Sequence, residues 1–346
     1  MKVRIHAEIG EICGLWKRLY RGNRELTWFQ SYEWNAALER QFAARRITRY
    51  GGCALQYVVI DDEFIAPLVI DRLRRRVELL GSQEASDYLS FEFTGEMADA
   101  RLRACTEALL DRFPGYTFAA DRIHESSRLV RIFQQIGRQG RYAVRSETRA
   151  CVRIDVRAGT ESFCSSLSRS TRQNYRTAVN RIYRDGHTYE VLSGFGRLSE
   201  DEGRQLLELH RSRRAACDSR RTAKERILAR LREAVKRLLG EEDVDVLSEY
   251  ARAKEVFLSV IRIDGCIAAF CEGDLNNDGR TLSIARVAIG EAYCRYSPGQ
   301  ILLLETIEKL RDRLDCFDLT RGTEDYKRRL GGVVHYNHFF ELRGKP

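Results

Sequence analysis

"YSPGQILLLETIEKLRDRLDCFDLTRGTEDYKRRLGG" covers residues 296–332, and its reading decides the fold. Ser297 is a favoured N-cap type, and Pro298 suits a first helical position, where a missing N–H costs nothing. Leu303, Ile307, Leu310 and Leu314 keep helical spacing and predict a helix anchored on a sheet. "CFDLT" (316–320) predicts the next strand, and Gly322 opens a loop dense in Glu, Asp, Tyr, Lys and Arg. Gly299 removes any side chain from the first helical turn. Unpaired N–H groups there, with the positive end of the helix dipole behind them, make a seat for a phosphate or pyrophosphate. The expected phosphate-binding set is Arg295, Ser297, Gly299, Gln300 and Ile301. An ordinary helix start has the same pattern, so the stretch by itself leaves both readings open.

The residues just upstream predict an antiparallel meander. "EVFLSVIRI" (255–263) turns at Asp264-Gly265, a dipeptide favoured in tight hairpins. "CIAAFCEGDL" (266–275) returns, 276–279 turn again, and "TLSIARVAI" (281–289) is the third strand. The helix after 297 then crosses to a parallel neighbour. Before the meander, 162–186 reads as one basic helix ended by Gly186. Capping boxes at Ser199/Glu202 and Thr222/Glu225 open two more helices, the second with Ile227, Leu228, Leu231, Val235 and Leu238 on one face. In the N-terminal half, helices are expected near 11–20, 31–43 and 97–112. Strands are expected at 53–60, 64–70, 76–81 and 116–121, the first two joined by a hairpin at 61–63.

A length of 346 residues allows two ordinary domains, and 43% hydrophobic with 32% charged residues excludes a disordered chain. No apolar run is long enough to span a membrane and the N-terminus lacks a signal-peptide core, so a cytoplasmic protein is expected. The ten cysteines form no Cys-x-x-Cys pair. Cys53, Cys266, Cys271 and Cys316 lie in apolar runs and read as small buried hydrophobes. No metal site is expected, and His335 and His338 in "HYNH" read as structural or surface side chains. The net charge is +9, with eight lysines among 59 basic residues. Arginine forks phosphate well, which suits a phosphate-rich cofactor or an RNA.

The order and spacing of these pieces resemble the CelD/BcsL-like branch of the GNAT acyltransferase superfamily. The resemblance rests on Asp264, Gly265 and Ala268, then Tyr296, Pro298, Gly299, Leu302 and Leu303. Phe317, Asp318, Gly322, Glu324, Tyr326 and Lys327 complete it. "LSRSTRQNYRTAVNRI" (167–182), "LHRSRR" (209–214), "WFQSYEWNAAL" (28–38) and "ELLGSQEASDYLSFEF" (78–93) are similar as well. It implies an α/β (α+β) fold of two GNAT-like units in tandem, 1–148 and 149–346, each a mixed, mostly antiparallel sheet flanked by helices. It also implies an acyl-CoA donor in the second unit, its pyrophosphate on a helix N-terminus between two splayed strands. The acceptor would be an amine or hydroxyl of a saccharide, peptide or natural product. One departure is that the superfamily's Gln/Arg-x-x-Gly-x-Gly/Ala loop is reduced here to Arg295 and a single Gly299. "YKRRLGG" (326–332) resembles the ending of Fem-type aminoacyltransferases, which implies aminoacyl-tRNA as the alternative donor.

Acyl transfer needs a base for the nucleophile, oxyanion stabilisation and a proton for the leaving group. Asp318, Glu324, Asp325 and His210 are the expected bases. Tyr326 is the expected proton donor, and Lys327 would sit on the oxyanion or a phosphate. Each has a structural salt bridge or packing role as its alternative. Arg169, Arg172 and Arg176 share one helical face, either solvated or gripping an anion. A non-catalytic binding protein on the same scaffold is the remaining alternative. No RNA-recognition motif or zinc finger is present in the sequence.

Overall fold

The computed structural model describes residues 1–44, 52–82, 86–156, 162–197, 199–218 and 245–345. The first half runs β1 (Val3–His6), α1 (Cys13–Arg21), α2 (Tyr32–Ala44), β2 (Cys53–Ile60), β3 (Phe64–Asp71), β4 (Arg76–Leu79), β5 (Glu92–Phe93), α3 (Asp99–Leu110), β6 (Thr117–His124), α4 (Arg128–Arg138) and β7 (Tyr142–Asp155). The second runs α5 (Phe163–Ser166), α6 (Arg169–Arg184), β8 (Tyr189–Gly196), α7 (Glu200–Asp218), α8 (Val246–Ala253), β9 (Val256–Ile263), β10 (Cys266–Leu275), β11 (Thr281–Ile289), α9 (Pro298–Leu310), β12 (Cys316–Arg321), α10 (Asp325–Arg329) and β13 (Val333–Gly344). Among the described residues no helix is long and apolar enough to cross a membrane.

The chain forms two compact units that do not follow a single cut. Unit 1 takes Met1–Ala150, Val235–Tyr250 and His335–Pro346; unit 2 takes Cys151–Ala234 and Ala251–Val334. A contiguous division at 148/149 is therefore replaced by a discontinuous one. Unit 1 orders its strands β1-β2-β3-β4-β6-β13, with β5 beside β3. Unit 2 orders them β8-β9-β10-β11-β12-β7. In both, the first four strands are antiparallel, the fourth and fifth are parallel, and the sixth is antiparallel again. The same topology has been built twice; unit 1 takes its sixth strand, β13, from beyond unit 2, whereas the sixth strand of unit 2, β7, leads directly into that unit.

Each sheet is buried for reasons visible in its sequence. The Asp61/Asp62 and Asp264/Gly265 turns put two successive residues at positive φ (48° and 57°, 48° and 78°), the backbone that tight hairpins require. In α9 nine residues are buried, including Ile301, Leu302, Leu303, Leu304 and Ile307, as a helix apolar on most sides must be. The helix expected over 162–186 is broken. Leu167 is extended (ψ 159°) and buried, and Ser168 caps α6 by accepting the Thr171 N–H at 3.2 Å. The Ser199/Glu202 capping box forms, with the Ser199 hydroxyl donating to Glu202 at 2.7 Å. Thr222, Glu225 and the apolar face that follows lie outside the described residues. Cys266 is exposed because it follows the Asp264-Gly265 turn, whereas Cys271 is buried in mid-strand.

The parallel pairs β4–β6 and β11–β12 each last three residues and then part. In unit 1 the opening is filled from within. Arg122 adopts φ 59°, is 4% exposed, and donates to the carbonyls of Gly81 and Ser86 on the chain leaving β4. The Leu89 N–H returns to the Arg122 carbonyl at 3.0 Å. His335, in β13, is buried with Nε2 3.0 Å from the Tyr88 hydroxyl, a structural contact.

Two outcomes are expected. Residues 1–150 alone lack β13, whose Phe340 and Leu342 are buried in the unit 1 core. Losing both forfeits about 5–10 kcal/mol, comparable with the whole stability of a domain. That fragment should show no cooperative thermal transition by circular dichroism, and linking residues 333–345 to its end should restore one. The second concerns Glu92, fully buried with neither carboxyl oxygen hydrogen-bonded among the described residues. Burial pushes its pKa well above the carboxylate range. Unfolded chains release that proton above about pH 4.3 while the folded state keeps it, so stability falls as pH rises from there. Glu92→Gln should therefore gain stability relative to the parent between pH 4.5 and 7.5 in denaturant titrations; a pH-independent difference would refute this.

Candidate functional site

The opening between β11 and β12 is set by two local devices. Glu272 opposes Arg286 and Gly273 opposes Ile284, so Ala285 is left over as a bulge in β11. A Cβ on Gly273 would stand 2.1 Å from the Ser283 carbonyl oxygen, so only glycine permits this approach. On β12, Thr320 turns to φ 53°. Its N–H donates to Asp318 Oδ1 at 2.7 Å, and its hydroxyl donates to the Ile284 carbonyl at 3.1 Å. That hydroxyl replaces the next ladder bond. Beyond it no further ladder pair joins the two strands among the described residues.

The first turn of α9 differs from expectation. Ser297 is the N-cap, but at φ 52° and ψ 46° its side chain makes no capping bond. Its own N–H donates to the Cys294 carbonyl at 3.1 Å. The N–H groups of Gln300 and Ile301 both return to the Ser297 carbonyl, at 3.0 and 3.4 Å. Pro298 has none. The turn therefore leaves the Gly299 N–H as its open donor, not a ring of several. Gly299 is buried, and a Cβ there would meet Ile289 Cδ1 at 2.7 Å. Its smallness lets α9 dock on β11. Arg295 is also engaged: it pairs with Asp185, its guanidinium carbon lies 4.6 Å from the Tyr296 ring centre, and its carbonyl accepts from Arg181.

Three chain segments meet beside this turn. The Thr171 hydroxyl donates to the Arg329 carbonyl at the end of α10 (3.1 Å), and Gln300 Nε2 reaches the Thr171 carbonyl at a long 3.5 Å. Arg172 donates to the carbonyls of Ser165 and Leu167, at 2.9 and 2.6 Å, and closes the α5–α6 corner. Arg169 and Arg176 are exposed, with no ion pair or side-chain hydrogen bond among the described residues. Two of the three expected arginines are therefore available to an anion.

The loop after β12 is built around Lys327, which is 3% exposed. Its ammonium donates to the carbonyls of Leu319 (2.8 Å), Arg321 (2.5 Å) and Gly322 (3.4 Å) and pairs with Glu324 at 3.1 Å. Three protons and four acceptors leave nothing for an oxyanion, so Lys327 shapes the loop instead of facing a substrate. Glu324, exposed, is its counter-ion. Gly322, at φ 95°, gives the Glu324 carboxylate room: a Cβ there would lie 2.6 Å from it. Tyr326 is half-buried against the unit 2 core. His210 stands elsewhere, on α7. Leu206 of that helix packs with Val260, Phe270 and Ala288, on the sheet face opposite the one α9 covers.

That second face carries charged side chains that the motif reading passed over. Phe317 and Leu319 belong to the α9-side core, so alternation turns Asp318 to the other face. Across the strands Asp274 opposes Ser283, Ser283 opposes Asp318, and Asp318 opposes Arg153. Glu272 and Arg286, 1% and 8% exposed, form an ion pair at 3.7 Å, and Lys254 pairs with Asp274 at 2.7 Å. The signal was in the sequence: Glu272 and Asp274 alternate at the end of an otherwise apolar strand, where buried charge is rare unless paired. Burial raises the thiol pKa of Cys271 and Cys316, so neither is a thiolate nucleophile at neutral pH.

Residues 169–328 match the family model described as acetyltransferase (GNAT) domain. No curated protein matches the chain. Among solved structures, the chain is similar to the C-terminal domain (DUF2156) of a protein described as a lysylphosphatidylglycerol synthetase from Agrobacterium fabrum, with 14% identity, TM-score 0.57, and coverage of 96% of this chain and 92% of that one. A conserved protein of unknown function from Bacteroides thetaiotaomicron aligns at 12% identity and TM-score 0.55, over 99% of this chain and 100% of that one. L-PGS from Bacillus licheniformis aligns at 12% identity and TM-score 0.51, over 89% and 91%. The family match lies mostly within unit 2, and unit 1 repeats the strand order of that unit, so the fold is α/β, two units of one topology in tandem.

Lys327→Met should cost about 2–4 kcal/mol by urea denaturation, because it leaves buried carbonyls without a donor. An unchanged midpoint with lost activity would return the ammonium to the chemistry.

Proposed function

We propose that this chain is an acyltransferase whose second unit receives an activated acyl donor in the opening between β11 and β12. The observation that carries the reading is the three-residue parallel ladder that parts beside the first turn of α9, inside the segment matching the GNAT acetyltransferase model. Past Ser283 the edge of β11 facing β12 has lost its ladder, so its peptide groups can orient the donor's amides and acyl carbonyl. Tyr326 is the proposed proton donor to the leaving group. Asp318 and His210 are the proposed bases, while Glu324 and Lys327 hold the loop. The acceptor is an amine or hydroxyl of a saccharide, peptide or natural product, as the resemblance to the CelD/BcsL-like branch implies. Acyl-CoA is the first choice of donor, which fits a cytoplasmic setting.

Aminoacyl-tRNA is the second reading. It is favoured by the α9 turn, which offers the Gly299 N–H in place of a pyrophosphate cradle, and by the exposed Arg169 and Arg176, without ion pairs among the described residues. The lysylphosphatidylglycerol synthetase name of one similar structure points the same way, since it describes an aminoacyl product. Ionic strength separates the donors. Binding of a tRNA through several phosphates falls steeply with salt, and binding of a single CoA does so far less. Product formation with each donor, across a salt series, decides between them. Binding without turnover of any donor would assign the chain to non-catalytic proteins. Tyr326→Phe should lower turnover by about 10²-fold with donor affinity kept; wild-type turnover would remove Tyr326 from the chemistry.

A further inference from the structure

Unit 1 contains a concave site that no role given above assigns. It lies where the α3–β6 turn, the start of β7 and the end of β13 come together, with a volume of about 680 Å³. Small-ligand sites span roughly 300–1,000 Å³. Its floor is apolar: Leu110, Phe118 and Leu342 belong to the buried core, and Phe113, Tyr116 and Tyr142 line the site above them.

Its rim is cationic. Arg141, Arg343 and Lys345 line the site, against Asp111 as the one carboxylate in the lining. Asp111 is already committed, to Arg141 at 2.8 Å and to the Tyr142 hydroxyl at 2.5 Å. Arg75 adds a fourth cation: its guanidinium carbon is 5.7 Å from the Tyr116 ring centre, and its head lies against Gly115 in the same turn. Among the described residues, Arg75, Arg343 and Lys345 have no ion pair and no side-chain hydrogen bond. Many arginines of this unit, by contrast, are paired: Arg76 with Glu78 and Glu341, Arg101 with Asp61 and Glu63, Arg128 with Glu25 and Asp99. Two of these cations, Arg343 and Lys345, line the hollow and the third, Arg75, stands beside Tyr116 and Gly115 at its wall; an anion seated there offsets their charge.

We propose that this hollow binds an organic phosphate, with its apolar or planar body on the Phe113–Tyr116–Tyr142 floor and its phosphate between Arg343 and Lys345. Arginine and lysine supply the donors that phosphate oxygens need, and the floor separates a phosphate ester from the free ion. The site is independent of the acyl-transfer opening, which belongs to unit 2. A nucleotide and a lipid headgroup both offer this chemistry.

The test is calorimetric titration of the full chain with AMP, with dihexanoyl phosphatidic acid and with inorganic phosphate. At least one of the two esters should bind 1:1 and at least tenfold more tightly than inorganic phosphate; whichever binds better identifies the source. Arg343→Glu with Lys345→Glu should weaken that binding at least tenfold with the unfolding midpoint unchanged. Tyr116→Ala should weaken the ester but not inorganic phosphate. Absence of saturable ester binding, equal affinity for ester and inorganic phosphate, or indifference to the double reversal would each overturn the proposal.

Discussion

The parallel ladder between β11 and β12 ends after Ser283–Asp318, and the proposed site in unit 2 depends on that ending. A parallel pair that ran on would satisfy its own peptide groups and leave no opening. Here Gly273 admits the bulge at Ala285, Thr320 takes a left-handed backbone, and its hydroxyl caps the Ile284 carbonyl. The elements nearby are fastened around the result. Gly299 seats α9 on Ile289, Thr171 ties α6 to the end of α10, and Lys327 gathers three carbonyls at the end of β12. A buried ammonium held this way fixes a loop because each carbonyl it released would be left without a donor.

The two repeats show what the opening requires. Both part after three parallel pairs, and both place a residue with positive φ soon after, Arg122 in unit 1 and Thr320 in unit 2. The difference lies in the side chain. A guanidinium is long enough to reach across to Gly81 and Ser86 and close the gap; a threonine hydroxyl satisfies one carbonyl and stops.

Much of unit 2 was legible in its sequence because its signals are local. The Asp264-Gly265 turn, the apolar strands on either side and the Pro-Gly start of α9 each declare themselves within a few residues. The break at Leu167 did not, since it depends on a buried leucine and a serine cap inside a helical pattern. β7 and β13 were hidden for another reason. β7 carries "RSETR" along a mostly exposed middle, so it has no alternating pattern to read. What pairs with either strand is decided hundreds of residues away. At the site, residue types were found more readily than their duties. Lys327 and Gly299 both stand where the reading placed them, yet burial turned one from an oxyanion ligand into a loop support and the other from a phosphate seat into a docking surface. Glu272, Asp274 and Arg286 belong to no motif; they stand within otherwise apolar strands, and only their buried pairings account for them.

The displacement of the unit 1 sixth strand sets an order on the protein's own assembly. During synthesis β6 emerges early, but the strand that pairs with it, β13, is made only after every other strand of both units. Unit 2 is the copy that can close first, because its sixth strand, β7, precedes the rest of it. The N-terminal copy must therefore persist as an incomplete sheet while its successor folds. Its most separated contacts form at the end, the circumstance in which topology slows folding and leaves a nascent chain exposed to aggregation and in need of chaperones.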